Sequence, residues 1–165
     1  MRLHRFWAFP ALLALSACSG LERNQFPPIC PQAAVLPTAG ELALYRPSGG
    51  RDLMDVQIEG QILSAEGKCE DGGKAGTVDA ELTMQMRFRR GPAAPTRRAN
   101  IPYFVAVARG DQILTKQIFV QQVTFPPNVD SVVVKTKPAR MTFPVGPDRS
   151  AAAYQVWVGF QKQTP

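Results

Sequence analysis

Val78-Asp79-Ala80-Glu81-Leu82-Thr83-Met84-Gln85-Met86-Arg87-Phe88 is the stretch that decides the fold. Apolar and polar side chains alternate without a break, which is the period of a β-strand with one buried and one wet face. Working outward, Met54, Val56, Ile58, Gly60 and Ile62 alternate with Asp55, Gln57, Glu59 and Gln61 in the same way. After Ile62 the apolar phase slips to Leu63 and Ala65, which predicts a bulge or bend there. Ile101 to Ala108 is apolar on both phases, as a central or doubly covered strand would be, and Gly110-Asp111 predicts a tight turn into a strand from Ile113 to Phe125. Val132 to Val145 reads as an edge or bulged strand because it carries Pro138. Tyr154, Val156, Val158 and Phe160 define the last strand. Ahead of all these, Ala33–Leu36 and Glu41–Tyr45 read as two short strands or one irregular edge strand. The segments 46–51, 70–76 and 89–100 read as turns and loops. No segment has a helical period, and nothing requires crossover helices. Seven or so strands so connected predict an all-β protein, an antiparallel β-sandwich.

Composition agrees. Fifteen prolines and thirteen glycines in 165 residues suit short strands joined by turns, and 45% apolar content is globular. The first 32 residues stand apart. Arg2, His4 and Arg5 form a positive segment, and Phe6 to Leu15 form an apolar run interrupted by Pro10. That run is shorter than the roughly 20 apolar residues that span a bilayer, and it ends in small residues, so it reads as a cleaved signal peptide.

Leu15-Ser16-Ala17-Cys18 resembles the lipobox of bacterial lipoproteins. The resemblance implies cleavage before Cys18, acyl chains on that cysteine and attachment to a membrane through them. It divides the chain into a signal peptide (1–17), a lipidated proline-rich tether (18–32) and a β-sandwich domain (33–165). Ser19, where an aspartate often retains such proteins at the inner membrane, directs the expectation to the periplasmic leaflet of the outer membrane, with the inner membrane as the alternative. With Cys18 acylated, Cys30 and Cys69 are left as an even pair in an oxidising compartment, where a disulfide is expected. Two free thiols are the alternative; isolated cysteines without a histidine argue against a metal site. The plan resembles small envelope lipoproteins of Gram-negative bacteria, a class recognised by its anchor and not by a shared activity. Tyr154-Gln155-Val156-Trp157-Val158 is similar to a run in immunoglobulin-like and fibronectin-type-III domains, which implies an immunoglobulin-like sandwich. Only Gln161 to Pro165 follow that run, so Tyr154 is expected to open the last strand rather than form the family's tyrosine corner.

The chemistry available narrows the function. His4 is the single histidine and would leave with the signal peptide, so the mature domain could run no histidine-dependent triad. No nucleophile elbow, phosphate loop or dinucleotide-binding glycine pattern is present. Asp52, Asp55, Glu59, Asp79 and Glu81 are read as a solvated sheet face rather than a catalytic carboxylate pair. An enzyme is therefore not expected, and neither is a cofactor or a metal. Without Arg2 and Arg5 the 19 basic residues become 17 against 13 acidic ones, a charge of +4, too weak to argue for nucleic acid.

Arg87, Arg89, Arg90, Arg97 and Arg98 crowd one strand end and the next loop, with no acid between Arg87 and Arg98. They form a candidate anion-binding group for phosphate or carboxylate, set against a plain solubilising loop tip. Arg109-Gly110-Asp111 is read as turn chemistry, and Trp157 as a side chain on a second sheet face under a loop. The expected function is non-enzymatic binding of an envelope protein or glycan, the alternative being a structural or assembly subunit of a larger envelope complex.

Overall fold

The computed structural model describes residues 30–74, 76–145 and 153–162. Cys18 and the rest of the N-terminal anchor segment lie outside the described residues. Nine strands form among them: β1 (Ala33–Val35), β2 (Glu41–Tyr45), β3 (Val56–Asp71), β4 (Thr77–Arg90), β5 (Arg98–Arg109), β6 (Gln112–Thr124), β7 (Ser131–Lys135), β8 (Ala139–Pro144) and β9 (Tyr154–Phe160). They make two sheets packed as a sandwich, one in the order β1-β9-β5-β6 and one in the order β2-β3-β4-β7, with β8 also paired to β4.

The alternating stretch is β4, and its position explains its pattern. It pairs along one side with β3 and along the other with β7 and β8. Val78, Ala80, Leu82, Met84, Met86 and Phe88 all point into the core, none more than 4% exposed. Phe88 meets Phe160 of the facing sheet edge-on, with ring centroids 6.0 Å apart. Gly60, opposite Phe88 on β3, makes that contact possible, because a Cβ there would stand 3.0 Å from Phe160 and 3.1 Å from Phe88.

The predicted slip in β3 is a bulge. Register with β4 shifts between Ile62 and Ser64, leaving Leu63 as the extra residue. Even-numbered residues face inward before it and odd-numbered ones after it, so Ala65 and Cys69 reach the core. Cys69 then bridges to Cys30, with Cα atoms 5.3 Å apart. The disulfide ties the start of the described chain to the far end of β3. Val56 stands at the other end of this 16-residue strand, roughly 40 Å away at about 3.3 Å per residue.

Two features depart from the expected plan. β1 runs parallel to β9, with Ala33 opposite Val156 and Val35 opposite Val158, so the sandwich is not wholly antiparallel. The chain from Cys30 makes one pass along the sandwich and changes sheets at the 3₁₀ turn Pro37–Ala39, becoming β2 beside β3. Because β1 and β9 both start from the disulfide end, they meet running the same way. The second departure is the segment 132–145, which is two strands instead of one. Pro138 has no N–H to offer β4, and Thr136 bridges the interruption: its backbone N–H donates to the Met84 carbonyl (2.9 Å), and its Oγ1 accepts from the Met84 N–H (3.0 Å).

β5 is central, as its sequence implies. Ile101, Tyr103, Val105 and Val107 face the core, while Phe104 and Ala106 on the opposite phase are covered by Leu36 and Ala39. Gly110 sits at φ 57 in the hairpin turn, a conformation that accounts for the Arg-Gly-Asp tripeptide. Tyr154 opens the last strand and is buried against Phe143.

Met54 and Asp55 correct the sequence reading. Both belong to a 3₁₀ turn before β3, capped by Asp52 Oδ1 accepting from the Met54 N–H. Met54 is exposed, whereas Asp55 is buried under the turn at Arg46–Gly50 and ion-paired with Arg46. Asp55 is thus a structural carboxylate, not part of a solvated face.

Replacing both Cys30 and Cys69 with serine should remove about 3–4 kcal/mol of stability by the chain-entropy relation. The thermal midpoint should fall on the order of 10 °C. Thr136→Val should cost about 1–3 kcal/mol by stranding the buried Met84 N–H, read as a lower denaturation midpoint at unchanged m-value.

Candidate binding surface

Outward residues of the five-stranded sheet form two rows at the end remote from Cys30. Register places Ala43, Glu59, Arg89 and Ser131 side by side in one row. Glu41, Gln61, Arg87 and Val133 make the next. Between them lies an open groove of about 700 Å³. Arg87 Nη1 donates to Gln61 Oε1 at 3.2 Å, and Arg89 Nη1 is 4.0 Å from Glu59 Oε2. Arg89 is 69% exposed and Glu59 45% exposed, so their mutual hold is weak and their hydrogen-bonding capacity is open to a ligand.

The five arginines do not form one patch. Arg87 and Arg89 share the outer face of β4. Arg90 turns to Asp130, donating through Nε and Nη2 to the same carboxylate oxygen at 3.1 and 2.7 Å. Arg97 donates to the Pro126 carbonyl at 2.7 Å and helps close the loop after β6. Arg98 pairs opposite Thr124 on the other sheet and shares the outward phase of Phe104. The uncompensated field suggested by the local sequence is not what forms, because Glu59 and Asp130 approach from other strands and loops. Sequence reading missed Asp130, and it missed Glu41, Gln61 and Ser131 as groove residues. The signal for Gln61 was available: it shares the polar phase with Glu59 ahead of the bulge.

The other end of the same face is a closed charge lattice. Lys68 and Arg140 flank Glu81 at 3.5 and 3.0 Å, and Thr142 donates to Asp79. The Arg140 hydrogen bond holds the Glu81 carboxyl below the usual carboxylate range, with Lys68 adding to the effect. A depressed carboxylate stabilises above its ordinary pKa and loses that contribution as pH falls through the lowered value. Exposure keeps this effect small. Among the described residues no group of three or more histidine, cysteine, aspartate or glutamate side chains is placed to hold a metal. No helix among them is long and apolar enough to cross a membrane. Trp157 is half-buried on the outer face of the four-stranded sheet, between Ala34 and Ala106.

Fold and surface together define a β-sandwich carrying an open face of mixed charge. No family model, curated protein or solved structure matches the chain.

The division of the arginines has a measurable consequence. In thermal denaturation, Arg87→Ser with Arg89→Ser should leave the unfolding free energy within about 0.5 kcal/mol of the parent. Arg90→Ser with Arg97→Ser should lower it by about 1–2 kcal/mol, since two loop-closing contacts are lost together.

Proposed function

We propose that the protein is a lipid-anchored component of a bacterial cell envelope whose β-sandwich binds a carboxylate-bearing envelope glycan or protein without catalysing a reaction. The observation that carries this reading is the Cys30–Cys69 bridge, which ties the chain leaving the lipobox to the sandwich at the end opposite the Arg87–Arg89 groove. A disulfide suits an exported protein, and export is what the Leu15-Ser16-Ala17-Cys18 motif implies. Acyl chains on Cys18 would supply about 0.8 kcal/mol per buried methylene, enough with two or three chains for stable anchoring. Residues 19–29 would reach at most about 35–40 Å, leaving the groove accessible to a neighbour in the same compartment. The periplasmic face of the outer membrane is the proposed location.

The character of the groove supports the partner class. Two arginines offer bidentate contacts to carboxylates, while Glu41 and Glu59 on the same surface disfavour a uniformly anionic polymer such as nucleic acid. Gln61 and Ser131 add neutral hydrogen-bonding groups of the kind that read sugar hydroxyls or peptide amides. An immunoglobulin-like kinship is part of the proposal only at the level of a two-sheet sandwich with an aromatic at the head of its last strand. The strand order differs from the ABED-over-CFG scheme, since the last strand, β9, lies between β1 and β5 and not beside the strand that precedes it.

Cys18→Ala should move the protein from the membrane fraction to the soluble one; retention in the membrane would mean that the apolar N-terminal run is itself the anchor. Arg87→Ser with Arg89→Ser should abolish crosslinking to the partner in cells while leaving the membrane fraction unchanged. Undiminished crosslinking would remove the groove from the proposal.

A further inference from the structure

Among the described residues, all but one of the edges of the two sheets are blunted. β1 has three residues and β2 five. The edge formed by β7 and β8 is broken at Thr136-Lys137-Pro138 and carries Lys135 and Pro144, the devices that discourage pairing with another chain. β6 is the least protected: its devices, a bulge at Leu114 and Lys116, fall in its first half, and Gln117 to Thr124 carry neither charge, proline nor bulge. It runs 13 residues without a proline, and Lys116 is its single charge. That ammonium lies 4.5 Å over the Phe104 ring, folded onto the sheet face. Ile118 and Val120 are 59% and 60% exposed on the same face. Among the described residues β6 is paired on one side only, with β5, which leaves the N–H and C=O of every second residue at an open edge.

The centre of this strand is its own chemical mirror image: Gln117-Ile118-Phe119-Val120-Gln121. We propose that β6 pairs antiparallel with β6 of a second copy of this chain about a two-fold axis at Phe119, joining two four-stranded sheets into one of eight strands. In that register Ile118 of each copy faces Val120 of the other, and Gln117 faces Gln121. Lys116 faces Gln122, so no like charges are opposed. Phe119, which stacks on Tyr103 at 5.5 Å, faces its symmetry mate on the inner side. An unrelated strand would have to reproduce this neutral order; a second copy does so by symmetry. The straight part of β6, Thr115–Thr124, supplies fewer residues than the roughly 20–30 a side of a standard interface. The dimer is accordingly one of about micromolar affinity.

Sedimentation of the full-length chain over a concentration series tests this. The parent should pass from monomer to dimer, and Ile118→Lys with Val120→Lys should weaken association more than tenfold at an unchanged thermal midpoint, both positions being exposed. A second measurement is independent of how that variant folds. Full-length chains bearing Gln117→Cys or Gln121→Cys should form an intermolecular disulfide faster when mixed than either does alone. A parent that stays monomeric to about 100 µM, a dimer indifferent to the two lysines, or same-site crosslinks outpacing mixed ones would each overturn the proposal. So would capture of a different envelope protein by the cysteines on β6 in place of the second copy.

Discussion

Everything in this sandwich depends on the inner row of β4. Six consecutive inward side chains, from Val78 to Phe88, are removed from water while their backbone pairs with β3 on one side and with β7 and β8 on the other. Each large member contributes about 1.5–3 kcal/mol of burial. A one-residue slip of β4 would turn Glu81, Gln85 and Arg87 into the core and put the apolar row in water. Register against three partner strands is therefore fixed together. The bulge at Leu63 then acts on an already fixed frame: it lets β3 stay paired beyond Ile62 while changing which residues face inward. Cys69 becomes an inner residue and Lys68 an outer one, so the bridge to Cys30 and the ion pair to Glu81 follow from the same extra residue.

Period-two patterning revealed β3, β4 and β9 in the sequence because one face of each is buried, a run apolar on both phases revealed β5, and the phase slip after Ile62 revealed the bulge. Other features depend on contacts between residues far apart in the chain, and no local pattern encodes them. The parallel pairing of β1 with β9 is of this kind. So is the burial of Asp55, which looks like a polar-phase strand residue until the Arg46–Gly50 turn folds over it. Thr136 was equally hidden: it lies beside Pro138 in a stretch that alternates well enough to read as one strand, and its hydroxyl matters only because Met84 needs an acceptor.

The arginines show the same limit at the candidate site. Along the chain they form a run without an acid, and a run suggests a field. In the fold, adjacent residues of a strand point to opposite faces and cross-strand neighbours decide compensation. Glu59 is 30 residues from Arg89 in sequence and directly opposite it in the sheet, and Asp130 closes on Arg90 from the loop before β7. The surface that results is bipolar, with both signs of charge in one groove instead of a uniform positive field. Only the residue types were readable from the sequence; their grouping required the register.

The proposed anchor and the proposed self-pairing, taken together, would constrain orientation. An antiparallel β6–β6 pair has its two-fold axis perpendicular to the joined sheet, so the two Cys30 ends lie at opposite ends of the dimer. If Cys18 anchors the chain as proposed, two copies in one membrane would satisfy that symmetry when the axis coincides with the membrane normal, which brings both tethers to the same height. The sandwich then lies along the membrane instead of standing on its disulfide end. Its four-stranded and five-stranded sheets present their outer faces in opposite directions, one toward the lipid and one toward the compartment. The apolar face with Ile118, Val120 and Trp157 belongs to the first sheet and the Arg87–Arg89 groove to the second. Of the two placements, the one with the apolar face toward the lipid leaves the charged groove fully hydrated and open to a partner, and it avoids desolvating Glu41 and Glu59 against anionic headgroups.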